Sequence, residues 1–170
     1  MTSSLEKKIF KPRQSAGWIW VGAIGLVLLM IGLNLFIKSG LSGPFLITIL
    51  LTTPIGIGFL VIAAFFPTMR YEIYDTSLIL TYGPLLRYVI DIEQIKSIKR
   101  HDMAIGLVSS FRFPRLALFS VPYPEVGGVK MCATAASNGI LLIETESAKY
   151  GLTPADEKEF VAELQKRMGK

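Results

Sequence analysis

The fold of this chain is decided by two uncharged apolar runs, WIWVGAIGLVLLMIGLNLFI (Trp18–Ile37) and FLITILLTTPIGIGFLVIAAFF (Phe45–Phe66). The runs contain 20 and 22 residues, and seven residues separate them. A helix of this length is about 30 Å long, which matches the hydrocarbon core of a bilayer. We therefore predict a transmembrane hairpin over residues 18–66, with a basic cytoplasmic tail at residues 1–17 and one further domain at residues 67–170.

Charge is unevenly distributed along the chain. The tail carries four basic residues against the single acidic Glu6, whereas the loop between the runs carries Lys38 alone. Basic residues mark the cytoplasmic side of a membrane protein. We therefore predict a multi-pass protein of the cell membrane with both termini cytoplasmic. From Pro67 onward, 13 basic and 12 acidic residues nearly balance, so the net charge of +5 is no argument for nucleic-acid binding.

The apolar runs also allow other interpretations, which their length and composition disfavour. A signal peptide has a shorter apolar core than the first run, and here a second run follows, so we predict an uncleaved anchor. A transport path needs ionisable residues within the spans, and these runs have none. Gly25 and Gly32 share one face of the first helix, with Gly22 beside them, which predicts close packing against a neighbouring helix.

After Pro67 the sequence changes to short alternating segments that are typical of β-strands. Asn138-Gly139 predicts a hairpin between strands at residues 129–135 and 140–145. Thr153-Pro154 predicts the start of a final amphipathic helix, with Thr153 as its cap. The order is therefore about seven strands followed by one helix.

This domain resembles the bacterial pleckstrin-homology-like (PH-like) family of small membrane-anchored proteins. The resemblance covers about residues 71–168 and rests on these segments: Tyr71-Glu72-Ile73, VIDIEQIKSI at residues 89–98, Gly128-Val129-Lys130 with Ala133-Thr134, LIET at residues 142–145, and YGLTPAD at residues 150–156 before Phe160. It implies a small, mainly β, partly open barrel capped by a C-terminal α-helix. It also implies a domain with no known enzymatic activity and no agreed ligand.

The residues themselves give no catalytic constellation. One histidine, His101, beside Asp102 does not make a triad, because nothing nearby resembles a nucleophile elbow or an oxyanion loop. One cysteine, Cys132, allows neither an internal disulfide nor a multi-cysteine metal site. No glycine-rich phosphate loop is present. We therefore expect no enzyme, no metal and no cofactor.

One segment stands out as a candidate contact site. Phe111, Arg112, Phe113 and Arg115 alternate aromatic and basic side chains. Their guanidinium groups could meet lipid headgroups or the acidic patch of a partner. In the other interpretation, which we favour, the phenylalanines pack on the domain while the arginines extend to solvent.

The leading function hypothesis is a non-enzymatic, membrane-anchored PH-like module that mediates protein–protein interaction or self-assembly at the cytoplasmic membrane face. Its partners would be the lipid bilayer and either another protein or a second copy of the chain, with no nucleic acid. The alternative is a lipid-headgroup or small-ligand sensor that uses the basic and aromatic loop at residues 111–115.

Overall fold

The computed structural model describes residues 7–40, 45–102, 112–113 and 115–169. The chain divides into two units. The helical unit is Ala16–Pro67, and the domain unit combines the described residues before it with those after it.

The helical unit contains two helices, α1 (Gly17–Ser39) and α2 (Leu46–Ala64), which pack against each other. Both are long enough and apolar enough to cross a bilayer. Their side chains mostly face outward, as Ile37 and Ile47 show with 73% and 71% exposure. Among the described residues, every exposed large apolar side chain except Ile9 and Val89 lies between Trp18 and Val61. Apolar helices with this much exposed surface are typical of membrane spans.

The domain unit is mainly β, and its described residues form ten strands followed by the helix α3 (Glu157–Arg167). Four strands form an antiparallel sheet in the order β1-β2-β3-β4, and six form a second sheet in the order β5-β9-β10-β8-β7-β6. The strands are β1 (Lys8–Phe10), β2 (Arg70–Ile73), β3 (Ser77–Tyr82), β4 (Leu86–Asp91), β5 (Ile95–His101), β6 (Arg112–Phe113), β7 (Leu116–Tyr123), β8 (Gly127–Ala133), β9 (Ile140–Thr145) and β10 (Lys149–Leu152).

The predicted partly open barrel is correct only in outline. The part of the chain that the structure describes has two sheets and one C-terminal helix, and the strands do not close into a barrel. A short 3-10 helix (Ile92–Gln94) connects the edge strand of one sheet to the edge strand of the other. The sheets meet through buried side chains, because the Tyr71 hydroxyl on β2 donates to the Cys132 carbonyl on β8 at 2.8 Å.

The predicted Asn138-Gly139 hairpin is wrong. β8 and β9 are not neighbours, since β10 lies between them, parallel to β8 and antiparallel to β9. Gly139 does adopt a left-handed conformation (φ 63°), but its N–H donates to Asp102 Oδ1 at 2.6 Å. Tyr150, Gly151 and Leu152 are buried, so β10 removes more surface from water between two strands than it would at an edge.

The C-terminal helix begins later than the sequence indicates. Asp156 is the N-cap, and its side chain accepts a hydrogen bond from the Glu159 N–H at 3.0 Å. Thr153 is fully buried, and its hydroxyl accepts a hydrogen bond from the Thr134 N–H at 2.8 Å. The Thr153 side chain therefore joins two segments of the domain, and an exposed aspartate caps the helix.

Residues before the first helix also belong to the domain. Residues 1–17 are predicted to form a basic cytoplasmic tail, whereas the structure places Lys8–Phe10 in the four-stranded sheet as its edge strand, β1. Phe10 is buried, which gives this short segment an apolar anchor. The domain therefore contains chain segments that precede and follow the helical unit in sequence.

Candidate functional site

The basic and aromatic segment at residues 111–115 lies around the turn between β6 and β7. Arg112 and Phe113 pair with Ala117 and Leu116, while Phe111 lies outside the described residues. Arg115 is exposed and has a left-handed backbone (φ 65°). Its carbonyl accepts a hydrogen bond from Ser15 Oγ at 2.6 Å, and Ser15 stands two positions before α1 in the chain. Whether the segment contacts lipid or a partner stays a prediction.

The three predicted packing glycines differ in how closely α2 approaches them. A Cβ atom added to Gly25 would lie 2.9 Å from the Gly56 carbonyl oxygen, and one added to Gly32 would lie 2.7 Å from Thr53 Oγ1. Gly22 has more room, because its added Cβ would be 3.6 Å from Ala63 Cβ. Gly22 also lines an apolar groove of about 770 Å³ within the helical unit. Gly25 is therefore the position where the two backbones come closest among these three.

The backbone of the N-terminal segment (residues 7–13) lies along two parts of the domain. Phe10 pairs with Tyr71 in the antiparallel β1–β2 ladder. The segment then continues past β1, since the Ala155 N–H donates to the Lys11 carbonyl at 2.9 Å and the Arg13 N–H donates to the Thr153 carbonyl at 2.7 Å. The segment thus binds in an extended conformation, as peptides do when they add a strand to a sheet edge.

Side chains of the N-terminal segment face acidic residues of α3. Lys8 Nζ lies 2.8 Å from Glu159 Oε1 and 3.4 Å from Glu163 Oε2, and Arg13 Nη2 lies 3.6 Å from Glu157 Oε2. The hydrogen bond from Lys8 to Glu159 contributes most to a raised pKa of the ammonium group. Between these charges, the Phe10 ring meets the buried Phe160 ring edge-on at a centroid distance of 5.2 Å. The contact therefore combines an apolar anchor with complementary charge.

Glu72 on β2 is a further acidic partner of the N-terminal segment. It is 6% exposed, and Lys7 Nζ and Arg70 Nε lie 2.9 and 2.8 Å from its Oε1. Tyr74 Oη donates to its Oε2 at 3.1 Å. Burial by itself would raise the pKa of Glu72, but the hydrogen bonds from Lys7 and Tyr74 outweigh it and hold the pKa below its ordinary value. Glu72 is therefore ionised at neutral pH and needs a cation beside it.

A second surface feature lies on the outer side of α3. Arg100, at the end of the edge strand β5, and the α3 face that includes Val161 and Gln165 line a groove of about 700 Å³. Its rim has mixed charge, with Asp156 and Lys158 both present. No local sequence pattern predicts this groove, because it forms only where a sheet edge and a helix meet.

The residues considered for chemistry are dispersed in the structure. His101 Nε2 lies 3.5 Å from Glu125 Oε2, while Asp102 bonds the Gly139 backbone. Cys132 is fully buried, and burial raises the pKa of its thiol. Within the described residues, no group of three or more His, Cys, Asp or Glu side chains is placed to hold a metal ion. His101 and Asp102 therefore each make a different contact, and Cys132 lies in the core.

The described residues after the helical unit, together with β1, form a small, two-sheet β domain with a C-terminal helix. A family model described as the Bacterial PH domain matches residues 69–168. The match covers more than half of the chain, so the chain belongs to the bacterial PH domain family, and the resemblance seen in the sequence is confirmed. Comparisons with curated proteins and with solved structures give no match.

The family match begins at residue 69, so β1 lies outside it. Sequence reasoning missed this strand because three residues are too few to show a period. One signal was available. Four basic residues precede α1, and the final helix carries the acidic residues Glu157, Glu159 and Glu163, which have the opposite charge.

Proposed function

We propose that the protein is a non-enzymatic, membrane-anchored PH-like module that mediates protein–protein interaction or self-assembly at the cytoplasmic face of the cell membrane. Membership of the family supports the coarser part of this proposal, since PH-like domains are generally binding modules without catalytic activity. The observation that carries it is the combination of such a domain with two exposed apolar helices long enough to cross a bilayer.

The pairing of β1 with β2 supports the proposed topology. β1 precedes both helices and β2 follows both, yet the two strands are neighbours in one sheet. If the helices cross a bilayer, the chain must leave and return on the same side. The charge rule then favours the cytoplasm, since Lys38 is the one basic residue between the apolar runs and four precede them.

Cysteine accessibility tests the topology. Lys11 and Lys38 are exposed and each can be replaced by cysteine, while the native Cys132 is buried and serves as an unreactive background. We expect a membrane-impermeant maleimide to label Lys38→Cys in intact cells and Lys11→Cys only after permeabilisation. Labelling of Lys11→Cys in intact cells would contradict the proposal.

The interaction role is tested on the full chain. We expect native mass measurement in detergent to show either an oligomer or a complex with another protein, and crosslinking in cells followed by mass spectrometry to identify the same species. A strictly monomeric protein that captures nothing above background would refute the proposed function.

One observation favours a second candidate, the lipid-headgroup sensor. The exposed Arg115 lies in a turn that is hydrogen-bonded to Ser15, just before the first apolar helix in the chain. A helix that spans a bilayer would start close to the headgroups, and clustered arginines attract anionic lipid.

The test uses a soluble form in which a flexible linker replaces residues 16–67, so that β1 is kept. We expect binding to vesicles that contain anionic lipid, and loss of that binding in the Arg112→Ala/Arg115→Ala variant. The matched control is Lys96→Ala/Lys99→Ala, which removes two exposed charges from β5. Equal effects of the two double variants would reject a specific lipid site.

A further inference from the structure

The N-terminal segment (residues 7–13) contacts the domain in the way that a bound peptide contacts a sheet edge. It supplies a strand to the free edge of β2, and its buried Phe10 packs against Phe160. Its cations meet carboxylates on α3 and on β2. Main-chain pairing with one apolar anchor and charge selection is a recurrent mode of peptide recognition. The site therefore fits an extended basic segment with one aromatic residue.

The resident segment is joined to this site by an unusually long connection. In sequence, 59 residues separate Phe10 from Arg70, and these include both helices. A tight hairpin turn would force the two strands to pair within one chain, because its ends are always close. Here the connection consists mainly of two helices that pack against each other, so its length alone does not set how strongly the chain favours its own segment. An identical segment from a neighbouring chain offers the same contacts and can compete for the same site.

The segment is also suited to leave its site. β1 has three residues, lies at the edge of its sheet and falls outside the family match, which begins at residue 69. Short edge elements open locally without unfolding the rest of a domain. Exchange of an identical element between copies recreates every contact in the second copy, so that it requires no new interface chemistry.

We propose that the β2 edge and the carboxylates of α3 (Glu157, Glu159 and Glu163) form a docking site for residues 7–13 of a second copy of this chain, so that copies are joined by exchange of β1. This inference specifies the partner within the proposed self-assembly, and it rests on that proposed function. Confinement to one membrane would raise the local concentration of copies and favour the exchange.

The proposal is tested by crosslinking between two single-cysteine variants of the full chain in lipid nanodiscs or native membranes. Lys11 and Ala155 are exposed and their backbones are hydrogen-bonded at 2.9 Å, which suits a disulfide between cysteines placed there. Copies with Lys11→Cys carry one tag and copies with Ala155→Cys another. The control mixture combines Lys11→Cys with Asp91→Cys, since Asp91 is an exposed residue at the end of β4. We expect the yield of the disulfide-linked heterodimer from Lys11→Cys and Ala155→Cys to be at least about five-fold higher than the yield from this control.

Reversing the charges of the Lys8–Glu159 pair tests the exchange independently. Lys8→Glu repels the chain's own Glu159, and Glu159→Lys repels the chain's own Lys8, but each variant's segment matches the other variant's site. We expect mixtures of these two variants to associate at least about five-fold more than either alone. The matched control carries both changes in one chain, which restores the internal pair and should return association to the level of the unmodified protein.

The outcomes separate the exchange from the proposed function. An oligomer that gives no Lys11→Cys/Ala155→Cys crosslink above the control, and no gain from the charge mixture, overturns the exchange while self-assembly stands. A monomer that captures no partner overturns both. A crosslink above the control together with association of the charge mixture supports the exchange.

Discussion

Replacement of Phe10 by alanine tests whether the segment before the first helix is a structural part of the domain. Phe10 is 7% exposed and meets Phe160 edge-on at 5.2 Å. Burial of a phenylalanine side chain contributes about 1.5–3 kcal/mol, and an aromatic pair adds about 0.5–1.5 kcal/mol. Because β1 is an edge strand, it can detach while the rest of the domain stays folded, which limits the free energy lost in the variant. We therefore expect Phe10→Ala to lower the stability of the docked segment by about 2–3 kcal/mol.

Hydrogen exchange of the full chain in detergent measures this loss where it occurs. The Arg13 and Ala155 amides are protected by hydrogen bonds between the segment and the domain. A loss of about 2–3 kcal/mol corresponds to exchange about 30- to 160-fold faster at these amides. The matched control is Ile9→Ala in the same strand. Ile9 is 55% exposed, so its replacement should cost less than about 1 kcal/mol.

The contrast between neighbouring residues decides the question. If Phe10→Ala and Ile9→Ala accelerate exchange equally, side-chain burial does not hold the segment and the reasoning is refuted. If neither changes the exchange of Arg13 and Ala155, the segment is not docked in solution.

Three further predictions follow from the described contacts. Gly25→Ala should lower the melting temperature of the helical unit in detergent, because the new Cβ would lie 2.9 Å from a backbone oxygen. The control is Gly58→Ala, whose Cβ would meet nothing within 4 Å and which should stabilise the helix by up to about 1 kcal/mol. Equal shifts in the two variants would contradict the packing argument. Tyr71→Phe should destabilise the domain by about 1–3 kcal/mol in urea unfolding, because it leaves the buried Cys132 carbonyl without its donor; an unchanged midpoint would exclude a role for the hydroxyl. The pKa of Glu72 is lowered in the folded domain, so its contribution to stability is present above the ordinary carboxyl pKa and is lost as the pH falls through the lowered pKa. Glu72→Gln should therefore flatten the loss of stability below about pH 4.5, and an unchanged acid transition would count against the pairing.

Local patterns in the sequence predicted several elements well. The two apolar runs appear as α1 and α2. The final amphipathic helix is present with Phe160 and Leu164 buried. These features depend on composition and periodicity within one segment, so a single sequence carries the information.

Pairings between distant segments were not accessible in the same way. The left-handed Gly139 fits a tight turn, yet β10 lies between the two strands that the turn was expected to join. Which strands become neighbours depends on how much surface each arrangement buries, and the turn propensity of Asn138-Gly139 carries no information about that surface. The position of Thr153 is similar, because its hydroxyl bonds Thr134 in the interior and caps no helix.

The candidate contact sites show the same division. Residue spacing was enough to place Gly22, Gly25 and Gly32 on one helix face, but only the packed helices show that α2 approaches Gly25 and Gly32 more closely than Gly22. For Arg115, the sequence suggested an exposed basic group, and the fold added its left-handed turn and its bond to Ser15.

By itself, the sequence determined the two apolar helices, the mainly β domain and its membership of the bacterial PH domain family, because hydropathy and short motifs are local properties. The contacts of the basic residues before the first helix are visible only in the folded chain. A charge count predicts a basic cytoplasmic tail, whereas the folded chain pairs Lys7, Lys8 and Arg13 with carboxylates and buries Phe10. The reason is physical, since those carboxylates lie at least about 60 residues away in the chain and come close only when the two sheets and α3 have packed.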